Sequence, residues 1–159
     1  MMQNSGFSLL ELLVVVGICA IFASIGVTQW KTLQLKEELL TTTKQLTHFF
    51  NEVQINAYTY NYTYHFYLFS SPWCLVASKG DKPNSCMEGE LRYIKPNNSV
   101  EISGLTNKKI ISFWGRRNMA QTASLKLHNK IGETKILISF RGRVRFCYEQ
   151  GYLSGMPPC

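Results

Sequence analysis

The chain has 159 residues, 17 Lys and Arg against 10 Asp and Glu, and a formal net charge of +7. With a membrane-length apolar run set aside, the remainder suits one domain with one modest core, which excludes a multidomain architecture. Residues 1–100 carry seven basic and seven acidic side chains and residues 101–159 carry ten and three, so the whole excess points to an acidic partner for the last third.

In chain order, the first element is the apolar run from Phe7 to Val27, in which Glu11 is the only charge. Its 21 residues span roughly 31 Å as a helix at ~1.5 Å per residue, close to the hydrocarbon thickness of a bilayer. A carboxylate near the centre of such a helix costs about 2.5–3.5 kcal/mol, so it is normally kept for a partner. No Lys, Arg or His lies inside the run, and the partner must come from elsewhere. A secretory signal peptide needs a basic n-region, and Met1 to Gly6 contains no Lys or Arg. A plain signal anchor leaves Glu11 unexplained.

After Val27 the helical pattern continues. Leu35, Leu39, Leu46, Phe49 or Phe50, and Val53 recur at helical intervals, and no Pro precedes Pro72. A helix from about Phe7 to Ala57 is expected, half in membrane and half covering a globular domain. From Tyr58 to Phe66 aromatic and polar residues alternate with period two, which predicts a strand with one buried aromatic face. Further strands are expected at Cys74–Ser78, Leu91–Ile94, Ile110–Trp114, Ala123–Leu127, Ile136–Phe140 and Val144–Tyr148. Lys79-Gly80-Asp81, Pro96-Asn97-Asn98, Ser103-Gly104 and Asn129 to Gly132 read as turns between them. Short strands with short connections imply antiparallel sheet, so the expected class is α+β, with a long helix packed on β-sheets.

Five cysteines are distributed unevenly. Cys19 sits inside the apolar run as a small hydrophobe and takes no role. Among the other four, Cys74–Cys86 and Cys147–Cys159 form the simplest of the possible connectivities. Two such bridges need an oxidising compartment and could add about 2–3 kcal/mol each. A zinc site lacks the C-x-x-C or H-x-x-x-H spacing it requires, and no other cofactor is called for. His48, His65 and His128 are scattered, and no Gly-rich phosphate loop, paired-carboxylate pattern or G-x-S-x-G occurs, so an enzyme is not expected.

The second informative stretch is Phe140-Arg141-Gly142-Arg143-Val144-Arg145-Phe146. If extended, Arg141, Arg143 and Arg145 share one face along roughly 13 Å at ~3.3 Å per residue. Alternatively Gly142 makes a turn and displays them as a fan. In either geometry the like charges crowd together, which suits only water or an anion. The planar guanidinium fork fits phosphate with two parallel hydrogen bonds. Arg116, Arg117, Lys108 and Lys109 are candidate additions to that surface.

Two resemblances follow from these residues. A short leader ending in Gly6, then Phe7, then Glu11 as the fifth residue counted from Phe7, resembles the class III signal of type IV pilins and type II secretion pseudopilins. That resemblance implies cleavage between Gly6 and Phe7 by prepilin peptidase and N-methylation of Phe7. It also implies pairing of the Phe7 α-amino group with Glu11 of a neighbouring subunit, an interaction much stronger in lipid than in water. The uncharged leader departs from the family's usual pattern and weakens the positive-inside cue. Gly142-Arg143-Val144-Arg145 resembles the GRxR motif of FimT-type minor pilins, relatives of FimU and GspH. There the motif is tied to DNA binding in natural transformation; only Gly142, Arg143 and Arg145 carry over by it, and Arg141 and the others are charge-based additions.

The resemblances imply a pilin-like fold with residues 1–6 as leader, 7–29 as transmembrane and assembly helix, and 30–159 as the periplasmic or extracellular domain. The implied partners are DNA, other major and minor pilins, the inner membrane before assembly and prepilin peptidase. The alternative is a structural tip or priming subunit, or a type II secretion pseudopilin, with no role at DNA.

Overall fold

The computed structural model describes residues 8–70, 72–106 and 110–159. Among these, helix α1 (Leu9–Tyr60) precedes β1 (Thr63–Ser70), β2 (Trp73–Ser78), β3 (Leu91–Ile94), β4 (Glu101–Thr106) and β5 (Ile110–Trp114). A 3-10 turn, Gly115–Arg117, leads to β6 (Met119–Ala120), β7 (Ala123–His128), β8 (Glu133–Ile138) and β9 (Val144–Gln150). The chain divides into two units, Met1–Gln34 and Leu35–Cys159, and every buried core hydrophobic belongs to the second.

In the first unit the helix opens on a polar cap, with the Glu11 N–H donating to Ser8 Oγ at 3.2 Å. Ser8-x-x-Glu11 is the spacing of a capping box, in which a side chain satisfies an orphan N–H of the first turn. Leu9, Leu10, Leu13, Ile18 and Phe22 are all exposed, and by length and composition this helix is apolar enough to cross a membrane.

In the second unit α1 turns Leu39, Leu46, Phe50, Val53 and Ala57 inward, all fully or nearly fully buried, whereas Leu35 is only half-buried. Thr43 lies on the same face; its hydroxyl is bonded to the Leu39 carbonyl at 2.7 Å and to Thr134 Oγ1 of β8 at 2.8 Å. A polar side chain can sit in this core because its hydrogen bonds are made within it. Phe50 packs on Phe66 of β1 and Phe66 on Phe113 of β5, with ring centroids 5.0 and 5.1 Å apart. Tilted and edge-on pairs of this kind stabilise by about 0.5–1.5 kcal/mol beyond area burial.

The strands form two antiparallel sheets, ordered β3-β2-β1-β5-β6 and β4-β7-β8-β9. The inner faces of both pack on the same half of α1, giving the α+β pilin-like layout expected from the sequence. Cys74–Cys86 ties β2 to the segment before β3, and Cys147–Cys159 ties the C-terminal tail to β9. The tail adds an isolated parallel bridge between Tyr148 and Pro158, so it covers part of the β9 edge. Leu153 and Met156 of the tail are themselves buried in the core cluster.

Three expectations need correction. The predicted strand from Tyr58 begins later, because α1 continues to Tyr60. It stops at Asn61 with φ 55°, the Tyr62 N–H reaching back to the Ala57 carbonyl at 3.1 Å and that of Asn61 to the Tyr58 carbonyl at 3.4 Å. This is a Schellman-type stop with Asn in the left-handed position. Tyr58 and Tyr60 are consequently exposed on the helix, while Tyr64 and Phe66 form the buried strand face. Ser103-Gly104 is not a turn: both residues lie inside β4, where a register shift between Ile102 and Gly104 makes a bulge that a glycine accommodates. The strand predicted as Ile136–Phe140 ends at Ile138, since Phe140 belongs to the following turn.

Candidate nucleic-acid interface

The basic stretch forms the β8–β9 hairpin. The Gly142 N–H donates to the Ser139 carbonyl at 2.9 Å and the Ser139 N–H to the Arg143 carbonyl at 3.0 Å, enclosing Phe140, Arg141 and Gly142. A three-residue loop of this pattern needs its last residue in the left-handed region. Gly142 supplies it at φ 72°.

The space at Gly142 is also tight. A Cβ on Gly142 would lie 2.1 Å from Gln54 Nε2 of α1 and 3.1 Å from the Asn118 carbonyl oxygen. Gln54 Nε2 in turn donates to Asn118 Oδ1 at 2.9 Å. The helix, the segment after the 3-10 turn and the hairpin therefore meet at Gly142, and the Ala120 N–H adds a bond to the Phe140 carbonyl at 2.9 Å.

Of the two geometries open to the sequence, the structure adopts the turn. Arg145 lies directly opposite Leu137 in the β8–β9 ladder, so the two share the outer face, and Arg143, two residues before Arg145, points the same way. Arg141 occupies the turn itself, and all three arginines are exposed. With Leu137 and Phe140 they line a shallow depression of about 580 Å³.

Farther along the same outer face the charges neutralise one another. Lys126 pairs with Glu133 at 3.0 Å and with Glu149, and Lys135 pairs with Glu149 at 2.9 Å. Lys126 and then Lys135 hold the Glu149 carboxyl down at about 2, and the two glutamates raise the Lys126 ammonium in return. Among the described residues no carboxylate pairs with Arg141, Arg143 or Arg145. Lysines of this face have acidic partners and the hairpin arginines do not.

Arg116 and Arg117 are exposed on the 3-10 turn, whose C-cap is Asn118 in the left-handed conformation. Because Asn118 abuts Gly142, the structure brings the backbones of these two basic segments together. Lys108, Lys109, Gly6 and Phe7 lie outside the described residues. Glu11 is exposed in the first turn of α1. Among the described residues no cluster of His, Cys, Asp and Glu has the makings of a metal site.

Sequence reasoning misses four residues here. Asn118 carries a signal, since Asn after a short basic turn is a common left-handed stop. Ser8 carries one as well, in its capping-box spacing to Glu11. Phe140 reads as the end of a strand, although the following Arg-Gly marks a turn. Gln54 gives no local sign, because its contact to Asn118 crosses 64 positions of sequence.

Residues 1–27 match the family described as the prokaryotic N-terminal methylation motif. The chain carries a prepilin-type signal. That signal supports a type IV pilin-like protein, a structural subunit processed by prepilin peptidase and assembled with other pilins. Together with the apolar helix it is consistent with membrane anchoring before assembly. No curated protein and no solved structure matches the chain significantly.

Proposed function

We propose that this pilin-like protein is a minor pilin of the FimT type that captures extracellular DNA for uptake in natural transformation. The observation that carries this reading is the gathering of Arg141, Arg143 and Arg145 on one hairpin, none of them paired with a carboxylate among the described residues. Guanidinium groups left unpaired on a glycine-pinned turn are arranged for phosphate oxygens. Arg116 and Arg117, and by charge Lys108 and Lys109, extend the field that draws DNA in. Contacts to the phosphate backbone carry no base information, so capture by them is largely independent of sequence.

In this reading the signal is cut between Gly6 and Phe7, Phe7 is N-methylated, and its α-amino group pairs with Glu11 of the next subunit. Residues 7–29 cross the inner membrane once, and residues 30–159 stand in the periplasm until assembly carries them to the cell surface. The oxidised cysteine pairs fit that compartment.

A structural tip or priming subunit, in a type IV pilus or a type II secretion pseudopilus, is the second reading. It is favoured by Ile55 and Tyr58, which are exposed beside a groove of about 450 Å³ on α1, a surface that a packed neighbour would cover. Transformation and piliation separate the two readings in cells. An Arg143→Gln/Arg145→Gln strain that keeps its pili and loses transformation supports DNA capture; one that loses its pili supports assembly. In vitro, a gel shift of residues 31–159 with the same double variant is decisive, and unchanged affinity defeats the DNA reading.

A further inference from the structure

The hairpin has an apolar floor that phosphate binding does not use. Leu137 is 38% exposed on β8, an interior strand of its sheet, on a face that also carries Ser124, Cys147 of the disulfide and the charged pairs of Lys126, Lys135 and Glu149. Phe140 is 55% exposed at the first loop position of the turn, where the backbone demands no particular side chain. Water gains nothing from these two apolar groups, and an isolated phosphate cannot use them.

We propose that the depression between Leu137 and Phe140 is a nucleobase site, which gives the hairpin a preference for single-stranded over duplex DNA. This rests on the reading of the hairpin as a DNA-binding element and names the form of DNA it favours. The depression, about 580 Å³ and bordered by Arg141, Arg143 and Arg145, places cations around an apolar floor. An unpaired nucleotide has the complementary shape, an anionic backbone with a flat apolar base face. Arg143 and Arg145 project on one face roughly 7 Å apart along the strand, a spacing commensurate with adjacent phosphates of an extended single strand. A base between them stacks on the Phe140 ring, and the guanidinium planes add a second stacking surface. In a duplex the base faces are occupied by neighbouring pairs and only the phosphates reach the arginines.

The test uses the full chain, oxidised and in detergent micelles, with three fluorescent probes: a single-stranded oligonucleotide, the duplex of the same sequence, and an abasic single strand of equal length. The single strand is expected to bind at least about fivefold tighter than the abasic strand, the scale of one stacked base. Phe140→Ala should erase that advantage while leaving duplex affinity unchanged, and Phe140→Trp should preserve it. Equal binding of normal and abasic strands overturns the base site and leaves phosphate capture standing. So does a Phe140→Ala variant that weakens all three probes alike, since Phe140 then supports the hairpin and not the ligand. If Arg143→Gln/Arg145→Gln leaves all three affinities unchanged, both the base site and the DNA reading fall.

Discussion

Replacing Gly142 with Ala probes how the hairpin is held. The substitution places a methyl group on a residue at φ 72°, which costs about 1–2 kcal/mol for a non-glycine residue in the left-handed region. The methyl would also lie 2.1 Å from Gln54 Nε2, the far end of a flexible side chain, and 3.1 Å from the Asn118 carbonyl oxygen, which is backbone. Gln54 can withdraw, but only by giving up its bond to Asn118 Oδ1, a loss of about 1 kcal/mol. The total is roughly 2–3 kcal/mol, or about 8–12 °C in Tm for a domain of this size. Thermal unfolding of residues 31–159 followed by circular dichroism measures it. The reasoning demands coupling as well as cost: in a Gln54→Ala background the bond is already gone and the space is open, so Gly142→Ala should then cost only the left-handed share, about 1–2 kcal/mol. A Gly142→Ala variant that unfolds within about 2 °C of wild type, or single-variant costs that simply add, would refute the three-way contact.

Other outcomes are expected elsewhere in the domain. Glu149 has an ordinary value of 4.5 and is held at about 2 in the fold, so the unfolded chain takes up this proton first. Its pairing with Lys126 and Lys135 stabilises fully above pH 4.5 and is lost as pH falls toward 2, because the folded value is the depressed one. Urea midpoints across that range should decline less steeply for Glu149→Gln than for wild type, and the difference should shrink in high salt. Replacing Cys147 and Cys159 together with Ser loosens the tail whose Leu153 and Met156 side chains are buried in the core, and should cost about 2–3 kcal/mol by urea unfolding with the β8–β9 hairpin bonds retained. Phe50→Ala opens a cavity among Phe49, Phe66 and Phe113 and should cost about 3–5 kcal/mol in the same measurement, enough to threaten folding at physiological temperature.

The periodic elements are legible in the sequence and the junctions are not. Leu39, Leu46, Phe50 and Val53 announce the buried helix face because side chains at helical intervals must share one side. The start of β1 is hidden because the tyrosines from Tyr58 onward keep period two across the helix end, and only Asn61, a left-handed stop, separates helix from strand. Gly104 reads as a turn because a glycine in a bulge and a glycine in a turn have the same local composition; pairing with Lys126 of β7 decides between them. The same limit applies at the hairpin. Arg141, Arg143 and Arg145 are visible as a charge cluster, whereas Gln54 and Asn118, which fix Gly142, come together only through tertiary contact.

The central claim is that the hairpin arginines bind the phosphate backbone of DNA. Its most direct test is the slope of log affinity against log salt for duplex DNA, comparing wild type with the Arg141→Gln/Arg143→Gln/Arg145→Gln variant. If each arginine neutralises one phosphate, the triple variant should have a slope shallower by roughly 2.7, as fewer counterions are released on binding. A variant whose slope and affinity match wild type would contradict it, because the arginines would then touch no phosphate.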